Sequence, residues 1–223
     1  MRVVGIIQAR MGSSRLPGKV ILPIQSFPMI VTLVNRLEDC QEIDQWIVAI
    51  PDNKSNDILN EVLKEHAVEI FRGPEEDVLA RYDLAAHKYE ADVIVRITGD
   101  CPLHDPYLIN DMVFFYRENT FDLVTNTRRR TFPDGFDCEV FSRELLMSSN
   151  ENLLTKECRE HVTMCMETKG LFNYAYIMGD YSHLRATVDN IEDYHLCKKI
   201  FEKLFKLNPY FDWWDVKCAL TNP

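Results

Sequence analysis

The feature that most constrains this chain is a regular alternation of apolar runs with helix-spaced segments across its first half. Val3-Val4-Gly5-Ile6-Ile7 opens it as an unbroken apolar run, which suits a strand covered on both faces. Pro28 then opens a helical pattern in which Ile30, Leu33, Val34 and Leu37 fall on one face. Trp46 to Ile50 reads as a second strand, ended by Pro51-Asp52-Asn53, and Ile58, Leu59, Val62 and Leu63 mark the next helix. Val68 to Phe71 is a third strand. A helix follows between Glu75 and Tyr89, carrying Val78, Leu79, Tyr82, Ala85 and Ala86. Asp92 to Ile97 is the fourth strand. Strands alternating with helices in this way imply an α/β fold with a mostly parallel sheet and right-handed crossovers.

After residue 120 the rhythm changes. Asp122 to Thr125 reads as a strand, and residues 126–142 are turn-rich and aromatic, with Pro133-Asp134-Gly135 a turn signal. Helices are expected around 143–150 and 155–169, and strands at Tyr174 to Met178 and Leu184 to Val188. A final helix is expected from Asn190 to about Phe205. No repeat, linker or low-complexity tract intervenes. The expectation is one domain over residues 1–223, with an insertion at about 126–180 that returns to the same sheet.

The charge balance, 35 acidic against 25 basic residues in 223, argues against a nucleic-acid footprint, which needs a basic face. Arg128-Arg129-Arg130 is too short to reverse that. The seven cysteines are odd in number and form no CxxC pair. They are poor material for a disulfide framework or a zinc site and fit reduced thiols. Neither a leader segment nor an apolar run of the roughly 18 residues that span a bilayer is seen. A cytoplasmic protein without membrane insertion is expected.

Open parallel sheets gather ligands beyond the carboxyl ends of their strands, and three polar segments should lie there. The first, Gln8-Ala9-Arg10-Met11-Gly12-Ser13-Ser14-Arg15-Leu16-Pro17-Gly18-Lys19, ends in Gly-Lys. It is not a GxxxxGK[ST] loop, because five residues separate Gly12 from Gly18 and Val20 follows the lysine. Its small residues would still let backbone N–H groups approach phosphate, and Arg10, Arg15 and Lys19 would neutralise it. The alternative is a solvated turn. The second segment is Gly99-Asp100, where Asp100 is suited to Mg²⁺, an ion that takes one or two carboxylates plus phosphate oxygens, or to capping the following helix. The third is Thr187-Val188-Asp189-Asn190, where Asp189 is a helix-start carboxylate or a second metal ligand.

Other residues carry weaker signals. Asp137 and Glu139 alternate onto one face of an extended segment, to meet sugar hydroxyls or water. Arg159-Glu160-His161 sits on a helix, where an Arg–Glu pair is commonly just solvated. Cys101 with His104 is a poor nucleophile pair, because near neighbours on a tight turn seldom face each other. His66, His87, His104, His183 and His195 lack metal-ligand spacing.

Taken together, "IIQARMGSSRLPGK", "RGPEEDVLARY", "VIVRITGDCPLHDP", "FPDGFDCEVFS", "REHVT" and "LRATVDNIEDY" resemble the spore-coat polysaccharide protein F (SpsF-like) branch of the cytidylyltransferase family. Its relatives include the CMP-KDO and CMP-sialic acid synthetases. The resemblance implies a Rossmann-like nucleotidyltransferase, a three-layer sandwich around a mostly parallel sheet. It also implies Mg²⁺, CTP and a sugar acceptor as ligands, and a homodimer. It implies that Gln8, Ala9, Arg10, Met11, Gly12, Ser13, Arg15 and Lys19 hold the CTP phosphates, with Arg72, Gly73 and Asp77 near base and ribose. Asp100 and Asp189 would bind metal; Arg15, Lys19 and Asp100 would be catalytic; and Asp137, Glu139, Arg159 and His161 would shape the acceptor site. The KDO-activating relatives carry Gln before Gly-Asp, whereas this chain has Thr98, so the resemblance reaches the reaction class but not the acceptor. A glycosyltransferase using a nucleotide sugar and a non-catalytic nucleotide-binding subunit are the competing readings, the latter disfavoured by the presence of both carboxylates.

Overall fold

The computed structural model describes residues 1–152 and 155–222. β1 (Val3–Gln8) is central, and its residues alternate between two cores: Val3 and Ile7 face one, Val4 and Ile6 the other. A hairpin of β2 (Pro23–Ile24) and β3 (Phe27–Pro28) leads into α1 (Met29–Leu37). Then follow β4 (Gln45–Pro51), α2 (Asp57–Glu65), β5 (Ile70–Gly73), α3 (Val78–Lys88), β6 (Val93–Thr98) and α4 (Pro106–Arg117). The second half adds β7 (Leu123–Thr125), β8 (Glu139–Ser142), α5 (Arg143–Glu151), α6 (Lys156–His161), β9 (Leu171–Asn173), α7 (Ile191–Leu207) and α8 (Trp213–Thr221).

The seven-stranded sheet runs β5-β4-β1-β6-β8-β7-β9, with β8 antiparallel to both its neighbours. Helices cover both faces: Leu33, Ile109, Ile200 and Val216 pack on one, Leu79, Tyr82 and Leu145 on the other. This is the three-layer, mostly parallel α/β sandwich. From β1 the chain first builds outward through β4 and β5, then returns to place β6 on the other side of β1. That reversal leaves a crevice at the carboxyl ends of β1 and β6. Gly99 closes the strand ends: its N–H donates to the Gln8 carbonyl at 2.8 Å, and a Cβ there would lie 3.0 Å from Ala9 Cβ and the Gln8 carbonyl.

The later half departs from the expectations in four places. The helix expected to run to 169 stops at His161, because Val162 adopts φ 55°, and a Cys158–Cys165 disulfide ties the chain back beyond the stop. That bridge also corrects the expectation of reduced thiols throughout; Cys40, Cys101, Cys138, Cys197 and Cys218 are free. The strand expected at 174–178 forms earlier, at Leu171–Asn173, and Ile177 and Met178 lie exposed on a loop. Residues 184–188 form only an isolated bridge, Asp134 with Arg185. Their backbone is satisfied instead by two turns, Ala186 N–H on the Asp134 carbonyl and Val188 N–H on the Asp100 carbonyl. Gly135, at φ 109°, permits that approach, since a Cβ would lie 2.7 Å from the Ala186 carbonyl carbon. α8, unanticipated, starts with a capping box between Asp212 and Asp215 and buries Val216 and Ala219.

Candidate active site

The crevice holds a cavity of about 450 Å³. At one end lies Lys19. The loop before it folds on itself, with the Ser13 and Gly18 N–H groups both donating to the Met11 carbonyl and Met11 N–H tied to Asn56 Oδ1 at 2.8 Å. Gly18, at φ 72°, turns the chain into a single 3-10 turn that buries the lysine. Lys19 Nζ then donates to Asp100 Oδ2 at 2.9 Å, to Asp189 Oδ1 at 3.1 Å and to the Val188 carbonyl at 2.6 Å. The three strand-end segments therefore meet at one ammonium.

Asp189 is the most heavily held carboxylate there. Arg15 reaches its Oδ1 at 2.9 Å and Arg185 its Oδ2 at 3.0 Å. Burial alone would raise its pKa, but Lys19, Arg185 and Arg15 outweigh that and hold the carboxyl below its ordinary value. Asp193 accepts from the backbone N–H groups of Asp189 and Asn190, a capping box that orients the segment at the start of α7.

Two carboxylates converging on one cation offer the hard oxygen donors Mg²⁺ takes. Among the described residues no three His, Cys, Asp or Glu side chains group as a metal cage. A cation at Asp100 and Asp189 would complete its shell with ligand or water oxygens, as Mg²⁺ at phosphates does. The residues fit the ion.

Of the expected nucleotide contacts, Gln8, Ala9, Arg10, Gly12, Ser13, Arg15 and Lys19 line the cavity. Met11 turns instead toward the first core. Arg72 bonds the Asn53 carbonyl and pairs with Asp57 at 2.8 Å, outside the lining, and Gly73 ends β5 with Phe71 and Arg81 packed over it. Asp77 caps α3 and binds Arg159 at 2.6 Å, which draws Arg159 out of the lining too. Of the expected acceptor residues, Asp137 and His161 do line the cavity. Asp137 carries a two-pronged contact from Arg130, and burial still raises its carboxyl above the ordinary value.

Glu139 is 3% exposed and sits behind Arg96, whose Nη1 reaches it at 2.6 Å. Thr163 Oγ1 donates to Glu139 Oε1 at 2.6 Å, with Thr125 and Thr127 hydroxyls beside it. Arg96 is the member of this network that meets the cavity. Arg81, Arg96, Thr98, Asp134, Glu160 and Thr187 also line it. No sequence signal marked Arg81 or Arg96, which read as ordinary charges in a helix and a strand. Cys101 is buried, its thiol pushed up by burial and then by Asp100, which removes it as a nucleophile.

A three-layer α/β sandwich with paired carboxylates and clustered cations at its switch point defines a nucleotidyltransferase-type fold and site. The profile of the cytidylyltransferase family matches residues 4–164, and this chain belongs to that family. It is 37% identical over 201 residues to an uncharacterized protein of Methanocaldococcus jannaschii, covering 88% of this chain and 82% of that one. It is 32% identical to the spore coat polysaccharide biosynthesis protein SpsF of Bacillus subtilis, covering 90% and 87%. A cytidylyltransferase structure from Leptospira borgpetersenii superposes with a TM-score of 0.90 at 34% identity, covering 100% and 95%. A CMP-KDO synthetase complexed with CTP shares the fold at a TM-score of 0.69 and 19% identity, covering 92% and 100%.

Proposed function

We propose that this cytidylyltransferase joins CTP to a hydroxyl of a sugar, of the keto-acid or a related kind, giving a CMP-sugar and pyrophosphate for surface polysaccharide synthesis. The observation that carries the reading is the Lys19 ammonium shared by Asp100 and Asp189 beside Arg15 in the cleft. The acceptor oxygen bonds to the α-phosphorus, the bond from that phosphorus to the α,β-bridging oxygen breaks, pyrophosphate leaves, and the hydroxyl proton passes to water. Mg²⁺, held by Asp100 and Asp189, would supply positive charge to the phosphates when bound. Arg15 and Lys19 hold the departing pyrophosphate, and the Gly12-Ser13 backbone forms the floor of the phosphate site. Catalysis is then positioning and charge stabilisation without a covalent intermediate on the protein.

Asp137 and His161 shape the acceptor end, with Glu139 acting through Arg96. The chain works as one domain, its segment at about 126–180 serving the acceptor and a homodimer contact, in the cytoplasm. No helix is long and apolar enough to cross a membrane among the described residues. The test is a pyrophosphate-release screen of the four nucleoside triphosphates against keto-acid sugars and sugar phosphates with Mg²⁺. CTP-dependent release with one acceptor is expected. Donor breakdown without pyrophosphate would favour a glycosyltransferase, and CTP binding without turnover a binding subunit.

A further inference from the structure

The lining of the cavity reaches both faces of the sheet, and a second polar group lies on the face opposite the Lys19 cluster. Val20 and Val188, which flank the Lys19 cluster, belong to the core under α1 and α7, whereas Val78 on the other face belongs to the core under α3. There Arg81 lines the cavity although the residue is only 2% exposed. The other lining cations have carboxylates within 4 Å: Arg10 has Glu160, Arg15 and Lys19 have Asp189, and Arg96 has Glu139. Among the described residues Arg81 has no such partner. Its hydrogen bonds run from Nη1 alone, to the Pro74 carbonyl at 2.6 Å and the Glu75 carbonyl at 3.4 Å, and Nε has no partner.

A buried cation with no carboxylate in contact is costly, even with Glu75 and Asp77 nearby. Latching a turn through two carbonyls needs only a neutral donor, so the latch does not account for the guanidinium. In the same cavity lining, at the end of β1, Gln8 Oε1 is buried and receives no hydrogen bond among the described residues. An unfilled acceptor sharing a cavity with unfilled donors does not suit a phosphate, which is acceptor-only. It suits the edge of a base.

We propose that Arg81 and Gln8 read the pyrimidine: Arg81 donates to the ring acceptors O2 and N3, Gln8 Oε1 accepts from the exocyclic amine, and Val78 packs against the ring. This assignment rests on the CTP reading above and fixes which end of the cleft takes the nucleoside. Uracil presents N–H where cytosine presents the N3 lone pair, so it turns a donor toward the guanidinium and loses the match.

Calorimetric titration of the full chain with CTP, UTP and inorganic tripolyphosphate, in Mg²⁺ and without acceptor, tests it. Arg81→Gln keeps a neutral donor for the turn and is expected to weaken CTP by about thirtyfold while tripolyphosphate changes by less than about twofold. Arg81→Lys, which keeps the charge without the fork, is expected to fall between it and the wild type. Gln8→Leu is expected to narrow the preference for CTP over UTP. Melting curves of each variant establish that it is folded. CTP affinity unchanged in both Arg81 variants, or an equal loss for CTP and tripolyphosphate, overturns the base-reading role alone. A wild-type chain that binds no CTP overturns the transferase reading together with it.

Discussion

Lys19 Nζ lies 2.9 Å from Asp100 Oδ2, joining residues 81 positions apart in sequence at the carboxyl edge of the sheet. The same ammonium reaches Asp189, so its removal both strips a cation from the cavity and leaves two carboxylates without their shared partner. Preorganised charge contacts of this kind are worth about 3–4 kcal/mol in a transition state. Lys19→Ala and Asp100→Asn are each expected to slow CTP-dependent pyrophosphate release by roughly a hundredfold or more. Turnover near the wild-type rate in either variant would remove that residue from the chemistry.

Much of this cluster was legible before folding, because strand ends are. A run buried on both faces, such as Val3 to Ile7, must stop where polar residues begin, and parallel topology puts those stops on one edge. Arg81 and Arg96 gave no comparable signal: whether a charge in a helix or strand meets solvent or a cavity depends on what packs above it. The stretch from 162 to 188 departs from its sequence pattern for a related reason. Residues 184–188 are held by the 100 and 134 turns rather than by a neighbouring strand, and side-chain pattern does not distinguish those partners. The helix stop at Val162 goes with the bridge between Cys158 and Cys165, a pairing that cysteine spacing alone does not announce.

Glu139 and Arg96 form a buried ion pair at the wall of the cavity. Removing one member of such a pair strands the other charge, at a cost of about 3–5 kcal/mol, whereas apolar replacement of both is often neutral. Glu139→Ala is expected to destabilise the protein by that amount in urea unfolding, and Glu139→Ala combined with Arg96→Met to recover most of it. A double variant as unstable as the sum of its singles would show that the two residues act independently.

The Cys158–Cys165 bridge closes a short loop that carries His161 to the cavity and Thr163 to Glu139. Closing a loop of this length removes about 2–3 kcal/mol of unfolded-state entropy. Dithiothreitol is expected to lower wild-type stability by that much and to leave Cys165→Ser unchanged. Equal sensitivity of the two proteins to reductant would place the effect elsewhere.

His104 and Asp105 are adjacent, buried, and shifted in opposite senses. His104 Nδ1 accepts from the Asp105 N–H at 2.9 Å while its Nε2 faces the Asp137 carbonyl at 3.1 Å, an arrangement satisfied by the neutral ring; burial lowers its pKa to about 4. Burial raises Asp105 to about 6, against the opposing hydrogen bonds from the Trp213 and Tyr107 N–H groups. Between about pH 4 and 6 the unfolded chain holds a proton on the histidine and the folded chain holds one on the aspartate, so the two linkages cancel. Asp105→Asn leaves the histidine alone; the unfolded state then binds more protons, and stability should rise with pH across that window. His104→Gln leaves the aspartate alone; the folded state then binds more protons, and stability should fall as pH rises through about 6. Each slope integrates to roughly 3 kcal/mol. Urea unfolding at pH 4, 5 and 6 reads all three proteins, and parallel profiles for the two single variants would rule out the opposed pair.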